Sequence, residues 1–263
     1  MNHFNKILFF VFLNCFFAQE QLAQSLALEF QQSRVFEAEI FHGVDDFGAF
    51  YFSSDGVLYK QTAQEKNSFQ DFHLGEISHV DLLNPLRISV FYKNANTVVL
   101  LDNRLNEINR IDFSSLKDPI SAEYASTSRK NQLWVIDALS RSLLNFDIKD
   151  LKIISKSLPL STPYISFTSD YNTFIYSKLH ALQTYSTYAT FIKAIPAMPI
   201  GQIQLNQGRV LYQSDQDLVL INIKTADEIK LKVPDILVQD FHLNGENLYL
   251  YDGKEIHFFK ILD

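Results

Sequence analysis

A pair of apolar, strand-like runs separated by a short polar turn returns six times along this chain of 263 residues. The run Leu-Tyr-Leu-Tyr-Asp at 248–252 is typical of these segments. Successive copies begin about 37 to 45 residues apart, which for strand-forming segments is the period of propeller blades. The six copies occupy 48–60, 87–102, 132–147, 172–185, 209–221 and 246–259.

Each repeat is expected to form a small antiparallel sheet. In the second repeat four runs, listed below, are joined by asparagine-rich segments suited to tight reversals. The sixth repeat, 237–262, supplies only three strands, and the run 28–36 is available as its fourth. Because a ring of sheets must not leave an open edge, the sequence predicts an all-β, six-bladed β-propeller closed by an N-terminal strand. A β-sandwich also has many short strands, but the four-strand units favour the propeller. The four runs are 77–83, 87–92, 97–102 and 107–113.

The N-terminus has the pattern of a secretory signal peptide. Residues 1–6 contain one lysine, and 7–18 form an apolar run too short for a stable membrane span, which needs about 20 residues. We predict a signal peptide at 1–18, cleaved after Ala18, and a single propeller domain at 24–263; cleavage near Ala23 or Ala27 is the alternative. Lipoprotein anchoring through Cys15 is disfavoured because its neighbours do not fit a lipidation site.

Export and composition restrict the chemistry and the partners of the mature chain. Cys15 is the only cysteine, so its removal with the signal peptide would exclude disulfides and thiolate sites. The formal net charge of −7 argues against nucleic acid and anionic membranes as partners. We therefore expect a periplasmic or other cell-envelope location.

Three strand segments carry a family resemblance. The runs 98–102, 133–137 and 248–252 resemble the inner hairpin strands of the NHL, TolB and quinoprotein-like β-propeller superfamilies. A signal ending in Phe-Ala-Gln before a chain rich in tyrosine, asparagine and lysine is similar to uncharacterised exported propellers of the Bacteroidetes lineage. This resemblance implies the fold and an exported location, and it implies no activity.

Histidines and acids alternate on three runs expected to line the central channel. Residues two apart on a strand face the same side, so such pairs could point together into the channel mouth. Imidazole and carboxylate groups can bind a divalent ion, but a histidine hydrogen-bonded to an aspartate in a wet channel needs no metal. We therefore predict binding residues without a metal, cofactor or catalytic group. The candidates are His42, Asp45, Asp46, His79, Asp81, Asp240 and His242.

The sequence contains no nucleophile elbow, zinc-protease motif or phosphate-binding glycine loop. It therefore favours a non-enzymatic, monomeric interaction module that holds an envelope protein or peptide on one loop face. Two alternatives stay open: a metal-dependent, lactonase-like hydrolase at the channel, and a glycan-binding module. The glycan alternative depends on the tyrosine-rich segment 164–188, with Tyr171 and Tyr188 as candidate contacts.

Overall fold

The computed structural model describes residues 25–215 and 217–262, which form 24 strands. The predicted signal peptide, 1–18, and Cys15 lie outside the described residues. Within the described ranges no helix is long and apolar enough to cross a membrane.

Four sheets have four antiparallel strands each, in chain order. The first contains β2 to β5: Ile40–Val44, Phe50–Ser54, Val57–Gln61 and Lys66–Phe69. The second contains β6 to β9: His79–Asp81, Ile88–Tyr92, Thr97–Leu101 and Glu107–Asp112. The third contains β10 to β13: Ala122–Thr127, Gln132–Asp137, Ser142–Asp147 and Lys152–Pro159. The fourth contains β14 to β17: Phe167–Ser169, Thr173–Lys178, Ala181–Ser186 and Phe191–Pro196.

The remaining strands form one eight-stranded sheet in the order β18-β19-β20-β21-β1-β24-β23-β22. One half contains β18 to β21: Ile200–Asn206, Arg209–Ser214, Asp217–Asn222 and Glu228–Leu231. The other half contains β1 and β22 to β24: Ser25–Val35, Asp240–Asn244, Asn247–Tyr251 and Glu255–Leu262.

The N-terminal strand β1 joins the two halves of this sheet. It pairs antiparallel with β24 from Ala27 to Val35, as expected for the predicted run at 28–36. It also pairs parallel with β21 through Ser25 and Leu26, a contact that the sequence did not predict. The join occurs because β1 begins earlier than predicted, and its first two residues extend past the end of β24.

Burial follows the position of a strand within its sheet. Every residue of β7 and β8 is buried, whereas β9 is exposed except for Ile111. The second and third strands of a sheet are covered on both faces by neighbouring sheets, which explains their continuous apolar runs. Outer strands carry charged residues, which protect an exposed edge from pairing with other chains.

The described residues contain six apolar core clusters, each shared by neighbouring groups of strands. In one, Phe91 and Val98 of the second sheet pack with Val135 and Leu144 of the third. Another joins the ends of the chain, because Phe41 of the first sheet packs with residues from β23 and β24. The sheets therefore pack face to face around a central channel, and the predicted all-β propeller is confirmed.

The ring has two different ends. We call one the mouth face; it carries the turns from first to second and from third to fourth strands. The other is the connector face; it carries the turns from second to third strands and the connections between sheets. On the mouth face β6 ends two residues earlier than predicted. The predicted run 77–83 is a strand only over His79–Asp81, because the Asp81 carboxylate accepts the Leu83 N–H at 2.8 Å and turns the chain.

Candidate functional site

A cavity of about 350 Å³ lies where the channel reaches the mouth face. The first strand of each four-strand repeat contributes to it, because alternate side chains of these strands point inward. These strands are β2, β6, β10, β14, β18 and β22. Six of the seven predicted site residues line this mouth cavity: His42, Asp45, Asp46, His79, Asp81 and His242. The seventh, Asp240, begins β22 near the connector face and does not line the cavity. Its carboxylate accepts the Phe41 N–H at 3.4 Å, and burial raises its pKa.

His42 lies at a register shift in β2 and its Nε2 is 3.1 Å from the Ser53 hydroxyl. Burial, with a smaller contribution from His79, lowers the pKa of His42 to about 3. The imidazole is therefore neutral at physiological pH.

On β6, His79 and Asp81 form hydrogen bonds to β10. Nε2 of His79 is 3.1 Å from the Tyr124 hydroxyl, and the two rings are 4.8 Å apart. Asp81 accepts the Thr127 N–H at 2.5 Å. Burial lowers the pKa of His79, and the Asp81 charge only partly opposes this effect. These residues do not bond to each other; they connect the second sheet to the third.

His242 is fixed by contacts on both ring nitrogens. Its Nε2 donates to the Val44 carbonyl at 2.9 Å, and its Nδ1 accepts from Nε2 of Gln204 at 3.1 Å. This pattern fits one neutral tautomer, and burial accordingly lowers its pKa to about 4. The ring lies against Gly43, where the absence of a side chain leaves space for it and the φ of 138° also favours glycine.

The adjacent acids Asp45 and Asp46 have different environments. The Asp45 side chain is fully buried, and it accepts hydrogen bonds from the N–H groups of Phe47 and Ala49 and from the Tyr51 hydroxyl, all at 2.9 Å. Nζ of the buried Lys60 lies 3.4 Å away. Asp45 therefore stabilises the turn between β2 and β3, whereas Asp46 is exposed at the mouth.

The cavity has an aromatic side that strand alternation alone did not reveal. The rings of Tyr124 and Phe167 are 5.1 Å apart. Tyr171 extends across the mouth, and its hydroxyl donates to the Leu83 carbonyl at 3.1 Å. Of the two tyrosines that the sequence predicts as glycan contacts, Tyr171 lines the cavity and Tyr188 is exposed outside it. Tyr176 and Tyr185 of the same segment are buried between sheets.

Side-chain amides form the opposite side, and none of them is among the seven residues predicted to bind: Gln202, Gln204, Asn206, Gln207 and Asn244. Gln204 accepts the Leu243 N–H at 2.7 Å and donates to the Leu243 carbonyl at 3.1 Å. It thereby aligns β18 with β22. The only sequence signal for this set is its position on or next to inner strands.

The residues in the described ranges include no group of three histidine, cysteine, aspartate or glutamate side chains arranged to hold a metal ion. The ring nitrogens of the predicted histidines instead form hydrogen bonds with Ser53, Tyr124, Val44 and Gln204. The arrangement offers polar groups and aromatic rings for binding.

The connector face is the second unusual surface. The four most exposed large apolar side chains of the described residues all lie there: Phe72, Leu139, Leu158 and Leu237, each at least 80% exposed. Leu158 lies beside the turn that carries Leu139, because the neighbouring Ser142 pairs with Pro159. Six more exposed apolar residues share this face: Val35, Ile40, Ile165, Leu179, Met198 and Ile200.

A groove of about 540 Å³ crosses the connector face between the first and second sheets. Its apolar residues include Ile40 and Phe72. Its charged residues are all acidic: Glu39, Asp55, Asp71 and Glu76.

No protein-family model matches the sequence, and no curated protein matches it either. Solved structures are similar in fold. Virginiamycin B lyase from Staphylococcus aureus aligns with a TM-score of 0.60 at 10% identity, over 88% of this chain and 99% of that chain. BamB from Moraxella catarrhalis aligns with a TM-score of 0.54 at 10% identity, over 89% and 100%. The Pan2 WD40 domain from Neurospora crassa aligns with a TM-score of 0.56 at 10% identity, over 86% and 75%. These similarities confirm the β-propeller fold, and they concern the fold alone.

Proposed function

We propose that this chain is an exported, six-bladed β-propeller of the cell envelope, a non-enzymatic and monomeric module that binds a protein or peptide on its connector face. The observation that carries the proposal is the set of exposed apolar side chains there. Exposed apolar side chains that lie side by side, as Leu139 and Leu158 do, are typical of protein-interaction sites, because leaving them in water costs free energy that a partner would recover.

The acidic groove adds a charge preference to this face. Glu39, Asp55 and Glu76 line the same groove as the exposed Phe72. Asp71 is already paired with Arg110, at 2.8 Å. A partner segment with apolar and basic side chains would match both the apolar residues and the remaining acids.

Two features support the count of six blades and a single domain at 24–263. The six core clusters correspond in number to the interfaces in a closed ring of six sheets. The eight-stranded sheet would then be two blades, because only Ser25 and Leu26 connect its halves through β21.

Export is supported by the apolar run at 7–18, and the position of β1 favours one group of cleavage sites. Cleavage after Ala18 or Ala23 would leave β1 complete. Cleavage after Ala27 would remove Ser25 and Leu26, which pair with β21. We therefore favour the two earlier sites, which N-terminal sequencing of the mature protein would distinguish.

The metal-dependent hydrolase is the weaker alternative. Both ring nitrogens of His242 are engaged in hydrogen bonds, and Asp45 is committed to Lys60 and its own turn. A metal site would have to break these contacts before it could form.

The test is cross-linking in the native cells, with a tagged chain and quantitative mass spectrometry of the products. The double variant Leu139→Ser with Leu158→Ser removes apolar groups from the connector face. Phe47→Ser is the matched control, because Phe47 is 77% exposed on the mouth face. Fully burying a leucine side chain contributes about 1.5 to 3 kcal/mol, so we expect the loss of both to reduce the recovered partner at least about tenfold. A partner recovered equally from all three proteins, or no partner from the wild type, would contradict the proposal.

A further inference from the structure

The mouth cavity is a second surface at the opposite end of the molecule from the connector face. Its volume of about 350 Å³ is near the lower limit of small-molecule pockets, which span about 300 to 1,000 Å³. A ligand the size of one sugar ring would fit this space better than an extended chain.

One side of the cavity offers ring faces. Tyr171 is 37% exposed, and its hydroxyl bond to Leu83 holds its ring across the mouth. Tyr124 and Phe167 lie behind it in a tilted pair. The C–H face of a pyranose is apolar and packs against such rings, as other apolar groups do.

The other side offers hydrogen-bonding groups that are only partly used. Asn206 Oδ1 accepts the Gly245 N–H at 3.0 Å, and Asn244 Nδ2 donates weakly to Val44 at 3.4 Å. Within 25–215 and 217–262, the Asn206 Nδ2, the Asn244 Oδ1 and the whole Gln207 amide have no hydrogen-bond partner. Planar amides donate and accept at once, which suits sugar hydroxyls that do the same.

The charge of the cavity argues against an anionic ligand. No lysine or arginine of the described residues lines it, and its three histidines are neutral at physiological pH because their pKa values are lowered. Of its acids, Asp45 and Asp81 are hydrogen-bonded to the fold.

We infer that the mouth cavity binds a neutral hexopyranose at the end of a glycan chain, with the sugar ring on Tyr171 and its hydroxyls on Asn206, Gln207 and Asn244. The site is independent of the proposed partner face. Loss of one activity would therefore leave the other measurable.

The test is a ligand-observed NMR titration of the mature chain. The probes are the methyl glycosides of glucose, mannose, galactose and N-acetylglucosamine, and oligosaccharides that end in each. A ligand of about a dozen non-hydrogen atoms at ordinary efficiency binds in the millimolar range. Free glucose, methyl glucuronide and glucosamine test the free sugar, the anion and the cation.

Three variants test the assigned contacts. Tyr171→Ala should weaken binding at least about tenfold, whereas Tyr171→Phe, which keeps the ring but loses the bond to Leu83 that holds it, should weaken binding less. Gln207→Asn shortens the side chain by one methylene and so moves the amide away from the ligand, and should also weaken binding. Asparagine tolerates the left-handed φ of 48° at this position, so the backbone should be unchanged. Tyr188→Ala is the control, because Tyr188 is 72% exposed and outside the cavity.

Binding of a neutral glycoside that depends on Tyr171 and Gln207, but not on Tyr188, would support the assignment. Four results would overturn it. These are no binding of any probe by folded protein, tighter binding of a charged probe, binding of free hexose without its glycoside, and equal loss of affinity in Tyr188→Ala.

Discussion

Replacing Gly43 by alanine should destabilise the protein through its contact with His242. An ideal Cβ on Gly43 would lie 2.3 Å from Nδ1, 2.5 Å from Cε1 and 2.7 Å from Cγ of that ring. These distances are far inside van der Waals contact, so the imidazole would have to move. The ring is not a flexible chain end, because hydrogen bonds hold it to Val44 and Gln204.

The magnitude has two parts. A displaced ring would lose two hydrogen bonds, each contributing about 1 kcal/mol to the free energy of unfolding. A φ of 138° is a conformation that only glycine adopts readily, and an alanine there adds about 1 to 3 kcal/mol of backbone strain. The expected loss for Gly43→Ala is therefore about 3 to 5 kcal/mol.

Urea denaturation of the wild type and four variants separates these parts. Gly75→Ala is the control, because Gly75 has a φ of 77° and no atom lies within 4 Å of its ideal Cβ, so it reports backbone strain alone. His242→Ala removes the ring. In the double variant Gly43→Ala with His242→Ala, the alanine no longer meets the imidazole. We expect a coupling free energy of about 2 kcal/mol between the two substitutions. If Gly43→Ala costs no more than Gly75→Ala, or if the two substitutions are additive, the proposed contact is wrong.

Three further outcomes are expected. Unfolded His242 binds a proton below its ordinary pKa of 6.5 but folded His242 binds one only near pH 4, so this residue should lower stability by up to about 1.4 kcal/mol per pH unit between pH 6.5 and 4. His42, whose pKa is lowered to about 3, adds to the fall in the same range, and His242→Gln should reduce the total slope in urea titrations by the His242 contribution. Deleting 25–35 should lower the thermal midpoint and promote aggregation, measured by light scattering, because it exposes the edges of β21 and β24; an unchanged midpoint would contradict the role of β1. Asp45→Ala should cost about 3 to 5 kcal/mol in chemical denaturation because it leaves Lys60 buried without its carboxylate, whereas Asp46→Ala at the exposed neighbour should change stability by less than about 0.5 kcal/mol; equal effects would refute the difference.

Much of the fold could be predicted because its signals are local. Alternating apolar residues and polar turns identify strands within a few residues of their bounds, and the repeat period identifies their grouping. A strand that is covered on both faces, such as Thr97–Leu101, has a continuous apolar run instead of an alternating pattern. The predicted convergence of His42, His79 and His242 also followed from the expectation that first strands line a channel.

The roles of those residues could not be predicted in the same way. Asp45 and Asp46 are adjacent and chemically identical, yet one is buried against Lys60 and the other lies at the mouth. Asp240 and His242 share a strand face, but only His242 lines the cavity. The cavity occupies the mouth end of the channel, and Asp240 lies at the start of β22, near the connector face.

Local patterns in the sequence are enough to predict the all-β repeat, the strands and the inward alternation of the first strands, because each depends on neighbours within one repeat. The tertiary structure alone sets which groups meet. Tyr171 bonds to Leu83 across 88 residues, and His242 bonds to Val44 across 198. It also decided that the most exposed apolar side chains gather on the connector face. Such contacts depend on how separate sheets pack around one axis, and no local pattern encodes the distance between residues in different sheets.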